Sequence, residues 1–250
     1  MAAQLTILAS GSSGNASLLE VDGLGILIDC GLPPKSLTER LAQVGKSWAS
    51  VQWVLLTHTH SDHWNRHTLA YLRQQNITMI AHPQHHAMLG SRAEYLPLCR
   101  ANLTREYTED QPNRLSPSLS FQAITVPHDS EPTFAFRFEF SGSSSNSCWS
   151  LGFASDVGHV TDALIDGFSG LDVLAIEYNH DVALQQASPR PQFLIDRVLG
   201  DFGHLSNQQA ADATAQIAAN SGPNGLACLI QLHLSRQCNH PDLAVAAGKL

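Results

Sequence analysis

Residues 57–64 read THTHSDHW and bring His58, His60, Asp62 and His63 together within six positions. Polar groups of this kind are costly to gather beside a core unless something binds them. They follow VQWVLL (51–56), a continuous apolar run suited to a buried central strand. If the extended backbone continues past that run, His58 and His60 point to one side, because side chains alternate along a strand. The chain must then turn, and Asp62 and His63 come from that turn or from the first residues of a helix. Imidazole nitrogen and carboxylate oxygen are ligands that zinc, manganese or iron accept. A chain with this feature has to fold so that a core strand delivers its end to a metal.

Three further polar residues sit at or near the ends of apolar runs. His128 ends AITVPHD, Asp156 ends LGFASD, and His233 lies in LIQLHLS. Singly, each reads as a turn residue or a satisfied core group. Together with residues 58–63 they make seven groups of ligand type. That is too many for one tetrahedral ion and suits two ions sharing a carboxylate.

The rest of the chain supplies strands in two series, each followed by helices. QLTILAS (4–10) alternates, and ASLLEV and LGILIDCG flank a DG turn as a hairpin would. A helix is predicted over 33–45, starting at proline and ending at glycine, and another over 66–75, with a strand at 77–81. Strands are predicted at 119–129, 132–140, 148–156, 171–181 and 226–235, with SGSSSNS (141–147) as a polar connection. Helices are predicted over 190–199 and 206–219, with Ser206 or Asn207 as the N-cap of the second, and a short one at the C-terminus. Phe134, Phe136, Phe138 and Phe140 share one strand face and read as core. The pattern predicts a single α/β domain over 1–250, with two sheets packed together.

Apolar residues make up 43% of the 250, enough for a real core. No run approaches the roughly 18 uninterrupted apolar residues of a membrane-spanning helix, so no membrane partner is expected. The start, MAAQLTILASGSSGN, lacks a basic region before its apolar run and reads as a strand, which makes the cytoplasm the expected location. Five scattered cysteines without a CxxC pair read as reduced thiols, most of them small buried hydrophobes. The formal charge of −8, with no Lys/Arg run, argues against generic duplex binding through a basic surface. Histidine is the anomaly, at 13 residues. His82, His85 and His86 lie on a proline-started helical stretch and read as solvated or rim residues, as do His67 and His240.

The pattern HxHxDH, followed by a distant His, Asp and His in this order, resembles the metallo-β-lactamase superfamily. The blocks SGSSGN, VPHDSEPTFAF, EYNHDV, GDFGHLSN and HLSRQCNHP are similar to its YycJ/WalJ-type branch. The resemblance implies an αββα four-layer sandwich, two mixed β-sheets flanked by helices. It implies that His58, His60 and His128 bind one divalent ion, that Asp62, His63 and His233 bind the other, and that Asp156 bridges. The ions would be zinc or manganese, with iron as a further option. Asp29, in LIDCG, matches the superfamily's first acidic position and either orients a ligand histidine or closes the hairpin. The branch implies nuclease action, 5′-to-3′ on duplex DNA. This chain departs from it at Trp64–Asn65–Arg66, at His159 and at Cys238–Asn239, positions that bear on substrate choice more than on metal binding.

Two such ions, about 3.5–4 Å apart, hold a bridging hydroxide and polarise a phosphoryl oxygen, so no serine or cysteine nucleophile is needed. Asp62 thereby counts among the catalytic residues. The leaving oxygen needs a proton, for which Glu177, at a strand end, and His204, just before a helix, are the candidates. The alternative for both is loop packing or a helix cap. Ser12 and Asn15 in the Gly/Ser loop, with Asn179 and His180, are candidate phosphate contacts, although SGSSGN also reads as a plain turn. The expected function is a metal-dependent phosphodiesterase acting on nucleic acid, with DNA as the expected partner. A thioesterase, lactonase or cyclic phosphodiesterase on the same metal site is the alternative.

Overall fold

The structure is a computed structural model describing residues 3–109, 111–130, 132–142, 148–221 and 225–249. The chain forms two compact units, 1–108 and 109–250. In the first, β1 (Ala3–Ala9) pairs antiparallel with β2 (Ala16–Val21), which turns into β3 (Leu24–Ile28). The turn is the predicted DG pair: Asp22 and Gly23 both have positive φ, 51° and 82°, as a two-residue hairpin loop requires. Parallel pairing then takes over. α1 (Pro34–Gln43) leads to β4 (Trp53–Leu55), and α2 (Arg66–Gln75) leads to β5 (Thr78–Ala81). α3 (Pro83–Leu89) and α4 (Leu96–Arg100) lead to β6 (Thr104–Glu106). The sheet order is β1-β2-β3-β4-β5-β6. β4 is shorter than the predicted 51–56 run, but the Leu56 N–H still reaches Ile80 O, so the extended backbone does persist toward His58.

The second unit repeats this succession, antiparallel first and parallel after. β7 (Asn113–Arg114), β8 (Leu119–Val126), β9 (Thr133–Phe140) and β10 (Trp149–Ala154) run antiparallel. After α5 (Asp162–Gly167), β11 (Val173–Glu177) joins β10 in parallel. α6 (Val182–Gln186), α7 (Gln192–Leu199) and α8 (Asn207–Ala219) precede β12 (Cys228–Leu232), which lies parallel to β11, and α9 (Pro241–Ala247) ends the unit. The order is β12-β11-β10-β9-β8-β7, so both sheets are mixed. Because β8 and β10 both oppose β9, the C-terminal ends of β8, β10, β11 and β12 emerge at one edge of this sheet. In the first unit the ends of β3 and β4 likewise share an edge, with the start of β2.

The cores follow the apolar pattern. Leu27, Val54, Leu69, Leu72 and Met79 are buried in the first unit, and Ala154, Leu174, Ile176, Leu205 and Ile217 in the second. A fully buried leucine or isoleucine contributes about 1.5–3 kcal/mol. The four phenylalanines of β9 are buried, as read from the sequence. Ser206 caps α8 in a reciprocal capping box with Gln209.

Two expectations need correction. Cys99, Cys148 and Cys228 are exposed, and only Cys30 and Cys238 are buried. His85 is not a rim residue: it faces inward from α3, its ring 6.4 Å from that of Tyr107. The short α5, α6, β6 and β7 had no clear signature. Residues 143–147 of the predicted polar connection lie outside the described residues.

Candidate metal centre

In the first unit the ligand-type residues form a tight turn after β4. His58 and His60 have ring centroids 4.9 Å apart, and His58 and His63 have theirs 3.9 Å apart. Ligand atoms of His58 and His60, of His58 and His63, and of Asp62 and His63 approach pairwise within 4.8 Å. His63 N–H bonds back to His60 O, so Asp62 and His63 belong to the turn and not to α2, which starts after its N-cap, Asn65. Backbone bonds lace this turn to the end of β3: Cys30 N to His63 O (2.9 Å) and Asn15 N to Asp62 O (2.7 Å). The approach is so close that a Cβ on Gly31 would stand 1.7 Å from the Asp62 carbonyl oxygen, which only glycine permits.

A buried carboxylate sits behind the turn. Asp29 accepts from His63 Nδ1 (2.7 Å), from the Thr57 hydroxyl (2.9 Å) and from the Thr57 N–H (2.9 Å). The same hydroxyl lies 3.1 Å from His58 Nδ1. One aspartate thus orients His63 directly and His58 through Thr57. Asp29 does so with φ at 62°, a left-handed conformation uncommon for a residue with a Cβ.

In the second unit the ligand-type residues come from separate strand ends. His128 follows β8, Asp156 follows β10, and His233 follows β12 with φ at 54°. Asp156, Glu177, His204 and His233 each offer an atom within 4.8 Å of the others'. Glu177, the last residue of β11, is fully buried. Its Oε1 accepts from His204 Nδ1 (2.7 Å) and His233 Nδ1 (2.8 Å), and its Oε2 from the N–H groups of Val157 and Leu205. His128 donates from Nδ1 to the Gly203 carbonyl (2.9 Å).

The buried histidines of both units therefore share one arrangement. His58, His63, His128 and His233 each have Nδ1 engaged by an oxygen: Thr57 Oγ1, Asp29, Gly203 O and Glu177 respectively. With the proton on Nδ1, the lone pair is on Nε2. A neutral imidazole held in this way is the form that ligates a divalent cation, so the residues present fit such ions. Two partners were not read from the sequence. The Thr57 hydroxyl could have been suspected from its place directly before His58, but the Gly203 carbonyl is backbone and carries none.

Electrostatics separate the two carboxylates. Burial pushes the Asp29 carboxyl up, and its contacts with His63 and Thr57 only partly oppose this. Burial acts on Glu177 in the same sense, but His204 and His233 outweigh it and hold that carboxyl below its usual value. Burial would lower His204, whose side chain is 17% exposed, but Glu177 overcomes this and raises it to about 9. His204 is therefore a cation at neutral pH, hydrogen-bonded to an anion.

The remaining predicted residues divide. Ser12 is exposed on the first loop. The Asn15 amide lies 2.9 Å from His63 Nε2 and 3.3 Å from the Asp62 carboxylate, and Asn179 donates to the His233 carbonyl. His180 is buried, and neither ring nitrogen has a hydrogen-bond partner among the described residues. Burial lowers its pKa to about 4, so the ring is neutral. Trp64 is anchored to Thr59 O, and Cys238 is buried beneath the 235–239 turn. His159 Nδ1 donates to Asp201 O.

Residues 25–222 match the family described as the beta-lactamase superfamily domain. The exodeoxyribonuclease WalJ of Streptococcus pneumoniae is 30% identical over 241 residues, 96% of this chain and 84% of that protein. The exodeoxyribonuclease YycJ of Bacillus anthracis is 25% identical over 245 residues, 98% of this chain and 87% of its own. Among solved structures, the metallo-β-lactamase fold protein YhfI of Bacillus subtilis superposes with a TM-score of 0.67, covering 97% of this chain and 90% of that one at 16% identity. At that identity the likeness carries the fold: two mixed sheets with helices in the metallo-β-lactamase arrangement.

Proposed function

The chain belongs to the beta-lactamase superfamily, in its WalJ/YycJ-type branch, and on that premise we propose that it is a dinuclear phosphodiesterase that degrades duplex DNA from the 5′ end. It is a metal-dependent hydrolase; the number of ions, the polymer and the polarity belong to the proposal. The reading takes 1–250 as one metallo-β-lactamase-like domain in the cytoplasm. It assigns His58, His60 and His128 to one ion, Asp62, His63 and His233 to the other, and Asp156 to both. The observation that carries it is the shared orientation of the buried histidines, each with Nδ1 engaged by an oxygen, so that the lone pair that would ligate is on Nε2.

When bound, a pair of zinc or manganese ions supplies a water nucleophile at neutral pH and polarises the phosphoryl oxygen. The chain's own residues do the rest. Asp29 and Glu177 fix the rings that hold the ions. His204, kept protonated by Glu177, gives its proton to the leaving 3′-oxygen as the P–O bond breaks, releasing a nucleotide with a free 3′-hydroxyl. Asn15 and Asn179 position His63 and His233, and Ser12 is the exposed candidate for a phosphate contact.

The test is a digestion with zinc or manganese added. The substrates are 5′-labelled duplex DNA, its RNA counterpart and a small phosphodiester, with the His60→Ala, Asp62→Ala double variant as control for contaminating nuclease. The proposal expects 5′ nucleotides from DNA with the native protein only. Silence on both polymers, with turnover of a thioester or lactone, would replace it with the small-molecule hydrolase.

A further inference from the structure

The loop from Gly200 to His204, between α7 and α8, is tied down on several sides. Gly203 N–H bonds to Gly200 O (2.8 Å), and His204 N–H bonds to Val198 O (3.0 Å). A Cβ on Gly203 would meet Arg197 O at 2.2 Å, so the loop lies flush on the last turn of α7. On another side it packs against the segment after Asp156. A Cβ on Gly158 would stand 2.2 Å from Asp201 O and 2.7 Å from Phe202 Cα, and His159 Nδ1 donates to Asp201 O at 2.9 Å.

Phe202, in the middle of this braced loop, is 51% exposed. A lone exposed phenylalanine on a protein surface needs no explanation. This one is held in place, and its neighbours in the chain are functional groups. Gly203 next to it orients His128, and His204 two positions on is the proton donor. His159 is one of the contacts that hold the loop, through its bond to Asp201 O.

We propose that Phe202 is a base-stacking residue: its ring takes the face of a nucleobase flanking the scissile phosphodiester, and His159 positions it. The inference rests on the nuclease reading above. A nucleic acid offers phosphate and base faces for recognition. With a formal charge of −8 and no Lys/Arg run, the chain is poorly equipped to track phosphates electrostatically over a length of backbone. Stacking needs no charge and tolerates any sequence, because every base has a π-face. A rigid platform also loses little side-chain freedom when a base settles on it.

The test compares kcat/KM of the full metal-loaded protein on two duplexes. One has a natural nucleotide on each side of the scissile bond, and the other has abasic nucleotides there. Loss of one stacked base corresponds to about 5- to 150-fold in affinity. The native protein should therefore prefer the natural duplex by a factor in that range. Phe202→Ala should lose most of that preference by slowing on the natural duplex alone. Phe202→Trp should keep it. His159→Ala should reduce that preference, read as the ratio of the rates on the two duplexes. Phe193→Ala, which removes a 73% exposed ring near the start of α7, should leave it unchanged. The proposal is overturned if Phe202→Ala slows both duplexes equally or neither, or if Phe193→Ala has the same effect. Turnover of a small phosphodiester with none of either duplex by the native protein would instead sink the nuclease reading, and the stacking role with it.

Discussion

The two clusters of ligand-type residues reach a similar end by opposite routes. In the first unit, four such groups come from one turn of six residues, clamped to the end of β3. In the second, they come from the ends of separate strands and are brought together only by the sheet order. Each has one buried carboxylate that fixes ligand rings, yet the two carboxylates differ. Asp29 faces one imidazole and a hydroxyl and is held above its ordinary pKa. Glu177 faces two imidazoles and is held below it. The difference lies in a second histidine, His204, which Glu177 keeps charged. On the proposed function, the first cluster orients ligands, and the second orients a ligand and holds a proton for transfer.

The sharpest way to break this division is His204→Ala. If His204 is a proton donor, kcat on DNA should fall by about 10²- to 10⁴-fold, while a p-nitrophenyl phosphodiester, whose leaving group needs no proton, should lose much less. Equal losses on both substrates would make His204 structural. On DNA the rate of the native protein should decline as pH rises through about 9, where His204 loses its proton.

The next contrast sets Glu177→Gln against Asp29→Asn. Both remove a carboxylate that accepts from the Nδ1 of a proposed ligand histidine, and each should cost about 10- to 100-fold in metal affinity. Only Glu177→Gln should also move the alkaline limb of the DNA profile downward, toward the ordinary histidine value of 6.5. A similar movement in Asp29→Asn would erase the distinction drawn between the clusters. Metal titration followed by a pH series on each variant decides it.

What was readable from the sequence follows the same divide. Residues 58–63 were legible because they are contiguous and follow an apolar strand. His128, Asp156 and His233 are scattered, and only their order and their strand-end positions pointed to them. The Glu177–His204 pair is separated by 27 positions, and its 2.7 Å contact is a product of topology. The Gly203 carbonyl could not be found, since every residue has one. Asn15 and Asn179 were marked by residue type as polar groups near the site, but type does not say which neighbour an amide will choose. Here they choose His63 and His233, both in the proposed ligand set. The inward turn of His85 from α3 was hidden because a histidine on a short amphipathic helix gives no sign of which face is covered.

A smaller effect sharpens the account of the first cluster. Thr57→Val removes the hydroxyl that bonds Asp29 and lies against His58 Nδ1, while Thr57 N–H still serves Asp29. Leaving a buried acceptor and a buried donor short of a partner should cost about 1–3 kcal/mol in denaturant unfolding of the metal-free protein. A loss confined to metal affinity, with stability unchanged, would show that the hydroxyl acts on ring orientation alone.

The smallest effect is on the pH dependence of that metal-free protein, and it has opposite signs for the two carboxylates. Glu177 has its folded pKa below the ordinary 4.5, so its contribution to stability is present above that value and is lost as pH falls through the folded one. His204 has its folded pKa raised from 6.5 to about 9, so its contribution is whole below 6.5 and is lost as pH rises through about 9. The pair should therefore stabilise most between 4.5 and 6.5. Asp29 works in the other direction. Its raised pKa means that ionisation is easier in the unfolded chain, so its contribution weakens stability as pH rises through the ordinary 3.8 and up to the folded value. Melting curves from pH 4 to 10 should show Glu177→Gln flattening the decline between about 6.5 and 9, because the His204 shift is lost with its partner. Asp29→Asn should leave that alkaline decline in place and change the acid side only. If both variants flatten the alkaline side alike, the two carboxylates do the same work, and the second histidine does not set them apart.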